Sequence, residues 1–204
     1  MYRLRSETLA FIDNAPRRWI YDAPVLAAPE DVFAAISADP STWTWFPGIT
    51  SGRYEGPGPH GVGSIREARM GPSIYRETII AWETPTRWVY RVDQMTVPLA
   101  KALVEEWKVE PAPGGSVVRW TFAIDPRPLF TAALPFAPRA MGRLFRRAMS
   151  NLGSVLQARP GAGGGRRISP RQPREESVEE SGAPLANPSD EAVSLPGSEE
   201  EEVL

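Results

Sequence analysis

The chain has no cysteine and a single histidine, His60. The first lack excludes disulfides, thiol nucleophiles and cysteine-held metals, and it fits a cytoplasmic protein. The second puts multi-histidine metal sites and most histidine-based triads out of reach, so neither a metal nor a cofactor is expected. His60 itself lies in the loop "GPGPHGVG", where a surface position and a base on a cavity rim are the two readings. No apolar run approaches the roughly 20 residues that span a bilayer, so stable membrane insertion is not expected. The opening "MYRLRSETLAFIDNAPRRW" lacks a continuous apolar stretch and a small-residue cleavage site. Residues 1–14 therefore read as an N-terminal extension, not a signal peptide. The glycine cluster "GAGGG" (161–165) has no strand before it and no apolar helix after it, which removes it as a phosphate-binding loop. No basic stripe is interleaved with aromatics, and no nucleic-acid partner is expected.

Within its 204 residues the chain is 42% hydrophobic, enough for one packed domain with an appendage. The appendage starts after Gln157. Residues 158–204 are rich in Gly, Pro, Ser and Glu and contain no aromatic residue. Such a segment cannot bury enough apolar surface to offset the entropy of ordering, so it reads as a disordered tail. It carries five arginines and ten acids, net −5 against −2 for the whole chain, which leaves +3 on the remainder. A solubilising extension and a partner-binding or autoinhibitory segment lying on the more basic domain are both compatible with that asymmetry.

Residues 15–157 read as one domain. "RRWIYDAPVLA" (17–27) alternates as a first strand. Pro29, followed by Glu30 and Asp31, suits a helix start, and Val32, Phe33 and Ile36 give helical spacing. Asp39-Pro40 ends that helix. "STWTWFPG" reads as a second short helix, with Ser41 as cap and Gly48 as stop, whose Trp43, Trp45 and Phe46 cover one end of the sheet. From Thr50 the period is two. Six strands, near 50–56, 62–70, 73–83, 86–94, 102–110 and 116–125, are separated by Gly/Pro turns, so they pair as sequential antiparallel hairpins. Met141, Leu144, Phe145, Ala148, Met149, Leu152, Val155 and Leu156 then mark the apolar stripe of a long helix, whose lead-in from Pro128 is broken by Pro135 and Pro138. The fold class is α+β: a curved antiparallel sheet of about seven strands wrapped on a C-terminal helix, with two short helices after the first strand.

The hairpin turns fix which residues oppose each other. A turn at Gly71-Pro72 sets Arg66 against Glu77 and Ala68 against Tyr75. The next turn, at Thr84-Pro85, sets Ile79 against Tyr90, Glu77 against Val92 and Ala81 against Trp88. Continuing the register pairs Tyr90 with Glu105, Trp88 with Trp107, Trp107 with Trp120, Glu105 with Phe122 and Leu103 with Ile124. Directly opposed side chains share a face, and a one-residue slip would invert every assignment. The inner face collects these apolar and aromatic residues, while Glu67, Arg69, Arg76, Arg87, Arg91, Asp93, Glu106, Lys108 and Arg119 take the reverse face. Arg66, Glu77 and Glu105 thus fall inside, where charges must be paired or wet. Arg66 and Glu77 can pair. For Glu105 the partners in reach are Arg66 diagonally, cavity water, or Arg143 or Arg146 of the long helix.

Several segments carry a family resemblance. "APEDVFAAISADPSTWTWFPGI" looks like the opening helix pair of the SRPBCC (START-like, helix-grip) superfamily. "GVGSIREARM" resembles its third strand, "YRETIIAWETPTRWVYRV" its central hairpin, and "GGSVVRWTFAI" its last strand before the long helix. The superfamily includes lipid-transfer domains, plant pathogenesis-related proteins and aromatic polyketide cyclases, and the polyketide cyclase/dehydrase-like branch is the one resembled. The resemblance covers roughly residues 15–157 and implies a hydrophobic cavity between sheet and helix. That cavity would be lined by Arg66, Tyr75, Glu77, Ile79, Trp88, Tyr90, Val92, Leu103, Glu105, Trp107, Trp120 and Phe122 of the sheet and Met141, Phe145 and Met149 of the helix. The expected partner is a hydrophobic small molecule: a lipid, an isoprenoid or a polyketide-like aromatic. Glu105, Glu77 and Tyr90 are the candidate acid–base groups if the chain is a cyclase or dehydratase. A third reading is an interaction module with a filled core that acts through its tail.

Overall fold

The computed structural model describes residues 1–131 and 135–158. The tail expected to be disordered lies outside the described residues apart from Ala158. The elements are β1 (Tyr2–Arg3), α1 (Phe11–Asn14), β2 (Arg17–Val25), α2 (Pro29–Ser37), a 3-10 turn (Pro40–Thr42), β3 (Ile49–Tyr54), β4 (Ile65–Met70), β5 (Ser73–Glu83), β6 (Arg87–Met95), β7 (Ala100–Ala112), β8 (Gly115–Pro126), α3 (Pro128–Thr131) and α4 (Ala137–Gln157). The sheet is antiparallel and open, in the order β2-β8-β7-β6-β5-β4-β3, with β1 added against β6. It curves around α4, and α2 closes the same concave side. Among the described residues no helix is long and apolar enough to cross a membrane.

The α+β architecture and the hairpin order are those expected from the sequence. Arg66 pairs with Glu77, Tyr90 with Glu105 and Trp107 with Trp120. One expected pair differs. Ile79 does oppose Tyr90, but the next pair is Ala81 with Val89, so Ile80 is a bulge. The extra residue turns Ala81 to the convex face and brings Trp82 opposite Trp88 on the concave face, because a bulge reverses the alternation beyond it. A second irregularity lies between Arg76 and Glu77, where β6 passes from Gln94 to Val92 and leaves Asp93 unmatched.

The segment expected as a second short helix is a single 3-10 turn. Its cap is Asp39, not Ser41: the Asp39 carboxylate accepts from Ser41 N at 2.9 Å and from Tyr54 N at 3.1 Å. Trp43, Trp45 and Phe46 follow it inward, each buried. Asn151 of α4 donates to the Trp45 carbonyl at 3.1 Å and so ties this aromatic segment to the long helix. At the other end of α4, Gly142 meets the ring of Tyr21, where a Cβ would stand 3.1 Å from a ring carbon, and Tyr21 donates to the Pro138 carbonyl at 3.0 Å. The lead-in to α4 is a separate helix, α3, as its prolines require.

The N-terminal residues are built into the fold. The β6–β7 ladder ends at Arg91–Val104. Beyond it the chain start bridges the two strands, with Leu4 N donating to Asp93 O at 2.9 Å and Arg5 N to Lys101 O at 2.7 Å. Phe11 and Ile12 of α1 then cover a small apolar patch on the convex face made by Ala81, Val89, Ala102, Val104 and Ala123. The rest of that face carries the expected charges, in pairs such as Arg87–Glu106 at 2.7 Å and Arg119–Asp22 at 2.8 Å. Phe11→Ala should lower stability by about 3 kcal/mol, the usual cost of emptying a buried aromatic site. Urea unfolding of the full chain measures it, and a loss below 1 kcal/mol would show that α1 is not part of the cooperative unit.

Candidate functional site

A cavity of about 210 Å³ lies between the concave face and α4. Its sheet wall is Arg66, Ala68, Tyr75, Glu77, Tyr90 and Glu105, continued by Leu103, Trp107, Trp120, Phe122 and Ile124. Met141 and Leu144 of α4 form the opposite wall, Trp43 and Phe46 contribute from the aromatic segment, and Trp19, Ile49, Met70, Met95, Leu99 and Phe130 complete the lining. Of the residues expected to line a cavity, Ile79, Trp88, Val92, Phe145 and Met149 do not. They are buried in the core, and Met149 also borders a separate pocket between β2 and α4. The inner aromatics thus divide. Trp88 fills core, while Trp107 and Trp120 stack at 5.4 Å between centroids and present a wall. Trp43, Phe46, Leu99 and Phe130 come from turns and short helices, where no two-residue period assigns a face. Met95 escaped because the Asp93 irregularity shifts its phase.

The polar groups form two clusters. In the first, Arg66 Nε donates to Glu77 Oε2 at 2.5 Å, with both side chains buried. The guanidinium carbon lies 4.3 Å from the ring centroid of Trp88, 4.6 Å from that of Tyr90 and 4.8 Å from that of Trp43. Weak hydration makes a guanidinium the cation best suited to such an aromatic cage. Burial works against the charge on Arg66, but Glu77, with Tyr90 and Tyr54, outweighs it and holds the guanidinium above its ordinary value. Burial likewise pushes the Glu77 carboxyl up, and the facing guanidinium opposes that rise.

In the second cluster, Glu105 Oε2 accepts from the Tyr90 hydroxyl at 2.6 Å and from Trp120 Nε1 at 2.8 Å. None of the cationic partners considered from sequence, whether Arg66, Arg143 or Arg146, hydrogen-bonds to it. Its contacts are neutral donors on the strands either side. Burial raises the Glu105 carboxyl to about 7; the Tyr90 and Trp120 hydrogen bonds pull down, and the charge of Glu77 pushes further up. Burial and the same carboxylates hold the Tyr90 phenol well above its ordinary value. Tyr75 lines the wall half-buried, its phenol also raised by burial. His60 is not among the lining residues; it stacks on Tyr54 at 4.2 Å, and Tyr54 is the strand neighbour of Arg66. Among the described residues no group of three or more metal-type ligands comes together.

Two consequences can be measured. The Glu105 carboxyl is at about 7 folded against an ordinary 4.5, so the native state keeps a proton that the unfolded chain has released. Its contribution to stability is therefore greatest below 4.5, falls as pH climbs to about 7, and is level above, a loss on the order of 3 kcal/mol. Glu105→Gln, whose amide oxygen still accepts from Tyr90 and Trp120, should flatten that slope in denaturant titrations across the window; an unchanged slope would refute the assignment. Arg66→Met should cost about 3–5 kcal/mol by stranding Glu77, and adding Glu77→Leu should recover most of it. Equal losses in the single and double variants would show that the pair is not the source.

Comparison with known proteins agrees with this geometry. The family model described as "Polyketide cyclase / dehydrase and lipid transport" matches residues 16–157. The uncharacterized protein Rv2574 of Mycobacterium tuberculosis is 30% identical over 162 residues, which is 78% of this chain and 96% of the relative. A START superfamily protein from Mycobacterium smegmatis superposes with a TM-score of 0.57 at 11% identity, covering 69% of this chain and 97% of that one. One half of BexL, a di-domain ARO/CYC from the BE-7585A biosynthetic pathway, gives a TM-score of 0.55 at 16% identity, covering 71% of this chain and 51% of that one. At such identities the structural likeness shows the fold alone. The family match runs from β2 through β8 to the end of α4, and the chain belongs to the polyketide cyclase / dehydrase and lipid transport family.

Proposed function

We propose that the chain binds a hydrophobic small molecule in the cavity between sheet and α4. The observation that carries this reading is the combination of an apolar, aromatic-lined cavity with a few fixed polar groups on one wall, the usual constitution of a small-molecule site. Its volume, about 210 Å³, is below the roughly 300–1,000 Å³ typical of sites for drug-sized ligands. That favours a compact ring compound over an extended lipid chain. A fold shared with a START protein and with an aromatase/cyclase supports the reading without naming the ligand.

One observation favours a second reading, catalysis. Glu105 lines the cavity and has a carboxyl raised to about 7, so near neutral pH it is divided between proton-donating and proton-accepting forms. A ligand held against it would have a general acid or base in place, as a cyclase or dehydratase requires. Tyr90 would then hold Glu105 in position, not transfer the proton itself, since its phenol is shifted far from neutrality. The tail, residues 158–204, remains a candidate for binding a protein partner, and its deletion is the direct test of that role.

Purified full-length protein incubated with a cell lipid extract and examined by native mass spectrometry should carry a bound small molecule, and the unloaded protein should bind a hydrophobic dye. Absence of both the adduct and dye binding would overturn the cavity reading. With a ligand identified, Glu105→Gln should reduce its turnover at least 100-fold if the second reading holds. Binding retained with no turnover in the wild type would leave only the first.

A further inference from the structure

The charged side chains that line the cavity are two acids and one base: Glu77, Glu105 and Arg66. Arg66 is matched by Glu77 through Oε2. Glu105 has no cation; its Oε2 accepts from the neutral Tyr90 and Trp120. The other oxygen of each carboxyl, Oε1, accepts no hydrogen bond among the described residues. The unpartnered nitrogens of Arg66, Trp43, Trp88 and Trp107 are shut within the packing, whereas these carboxyl oxygens keep contact with the open space. Glu105 is only 9% exposed, so its unmet acceptor opens on the cavity. A buried carboxyl oxygen without a donor is costly and calls for one.

The charge balance selects the donor. A hydroxyl would satisfy the oxygen but leave the second acid without a counter-charge. An ammonium group does both, through a charge-assisted hydrogen bond. The surroundings suit a cation. Tyr90 and Phe122 stand opposite Glu105 on the neighbouring strands, and Trp19 stacks on Phe122 at 5.7 Å. Aromatic faces attract a cation, and this wall already holds the Arg66 guanidinium among three rings. We infer that the cavity takes a compact ring compound bearing a protonated amine, seated with its ammonium against Glu105. The ring body then meets the stacked Trp107–Trp120 wall and the Met141 and Leu144 side chains opposite. This rests on the binding reading above and adds the chemical class of the ligand.

Such a ligand needs the Glu105 anion, so its capture releases the carboxyl proton and strengthens as pH rises. The other titratable groups on the sheet wall are Arg66, Glu77, Tyr75 and Tyr90, and α4 adds none to the lining. Arg66 and Glu77 are bound to each other, and both phenols are raised further from neutrality. Glu105, at about 7, is the lining group whose charge changes near neutral pH, where an aliphatic amine stays protonated.

The test uses two shape-matched sets that differ only in the terminal group. One is 2-phenylethylamine, 2-phenylethanol and propylbenzene; the other is 1-aminoadamantane, 1-adamantanol and 1-methyladamantane. Fluorescence of the lining tryptophans reads affinity in the full-length protein. At about pH 8 the amine of at least one set should bind about tenfold tighter than its alcohol and its hydrocarbon. Its affinity should rise about tenfold between about pH 6 and 8, following ionisation of Glu105, while that of the hydrocarbon does not rise. 3-Phenylpropionate should bind more weakly than 2-phenylethylamine. Glu105→Gln should bring the amine-to-hydrocarbon ratio toward one and remove the rise with pH; the pH profile of the unmutated protein tests the same point without a variant. Equal binding of amine and hydrocarbon in both sets would overturn the amine assignment and leave the cavity reading intact. An alcohol that matches its amine in both sets, or a tighter 3-phenylpropionate, would overturn the cationic character of the ligand. No binding by any member of either set would overturn both this inference and the cavity reading.

Discussion

The Arg66–Glu77 pair is the constraint around which the concave face is arranged. A buried cation cannot be left without its anion, because the uncompensated charge is strongly destabilising. The pair therefore fixes β4 against β5. The guanidinium also demands flat, weakly polar neighbours, and Trp88 and Tyr90 of β6 supply them together with Trp43 from the turn after α2. The two irregularities of the β5–β6 ladder fall on either side of this centre, before Glu77 and after Ile79. The ladder stays regular across Glu77, Thr78 and Ile79 and yields on both flanks, which lets a strongly curved sheet keep one undistorted segment at its most exacting point.

The cavity exists because the aromatic residues near this centre are large and stiff. Trp43, Trp45, Phe46, Trp88 and Trp107 interlock at ring separations between 4.8 and 6.3 Å and fill one end of the concave space. The other end is closed by Leu99, Phe130, Met141 and Leu144, which come from loops and helices and cannot interdigitate with strand residues in the same way. Space remains where the two kinds of packing meet. α4 is held at a set distance by its own contacts, with Gly142 against Tyr21 at one end and Asn151 bonded to the aromatic segment further along. The helix cannot collapse into the gap without breaking both.

Much of this was legible in the sequence for an identifiable reason. Short turns and a two-residue period leave little freedom, so the facing of Arg66 with Glu77 and of Tyr90 with Glu105 follows from where the Gly/Pro turns fall. The bulge at Ile80 was not legible, because a bulge is a local response to curvature and no residue type marks this one. Its consequence, Trp82 inside and Ala81 outside, was lost with it. The role of Phe11 and Ile12 was hidden for a different reason: the apolar patch they cover is composed of Ala and Val positions scattered over four strands. Cavity residues from turns, Trp43 and Leu99 among them, carry no periodicity at all. Tyr90 was placed opposite Glu105, but neither it nor Trp120 was named as its hydrogen-bond donor, because the search for a charged partner passed over neutral ones.

That last omission bears on what the site can do. Two carboxyls share one cavity wall, and their environments separate them. Glu77 faces a fixed cation and is committed to it, so it organises structure and is poorly placed to exchange protons with a ligand. Glu105 is held only by a phenol and an indole, both of which stabilise its anion through hydrogen bonds without contributing a charge. Burial then outweighs those bonds and leaves the carboxyl near 7. A cation at the same place would have pulled it into the ordinary carboxylate range and left it permanently ionised near neutrality. The absence of a cationic partner, which from sequence looked like an unresolved charge, is the feature that makes Glu105 responsive: the proton it holds or releases is set by the cavity, and an apolar occupant that excludes water without donating a hydrogen bond to Glu105 will shift that balance further toward the neutral acid.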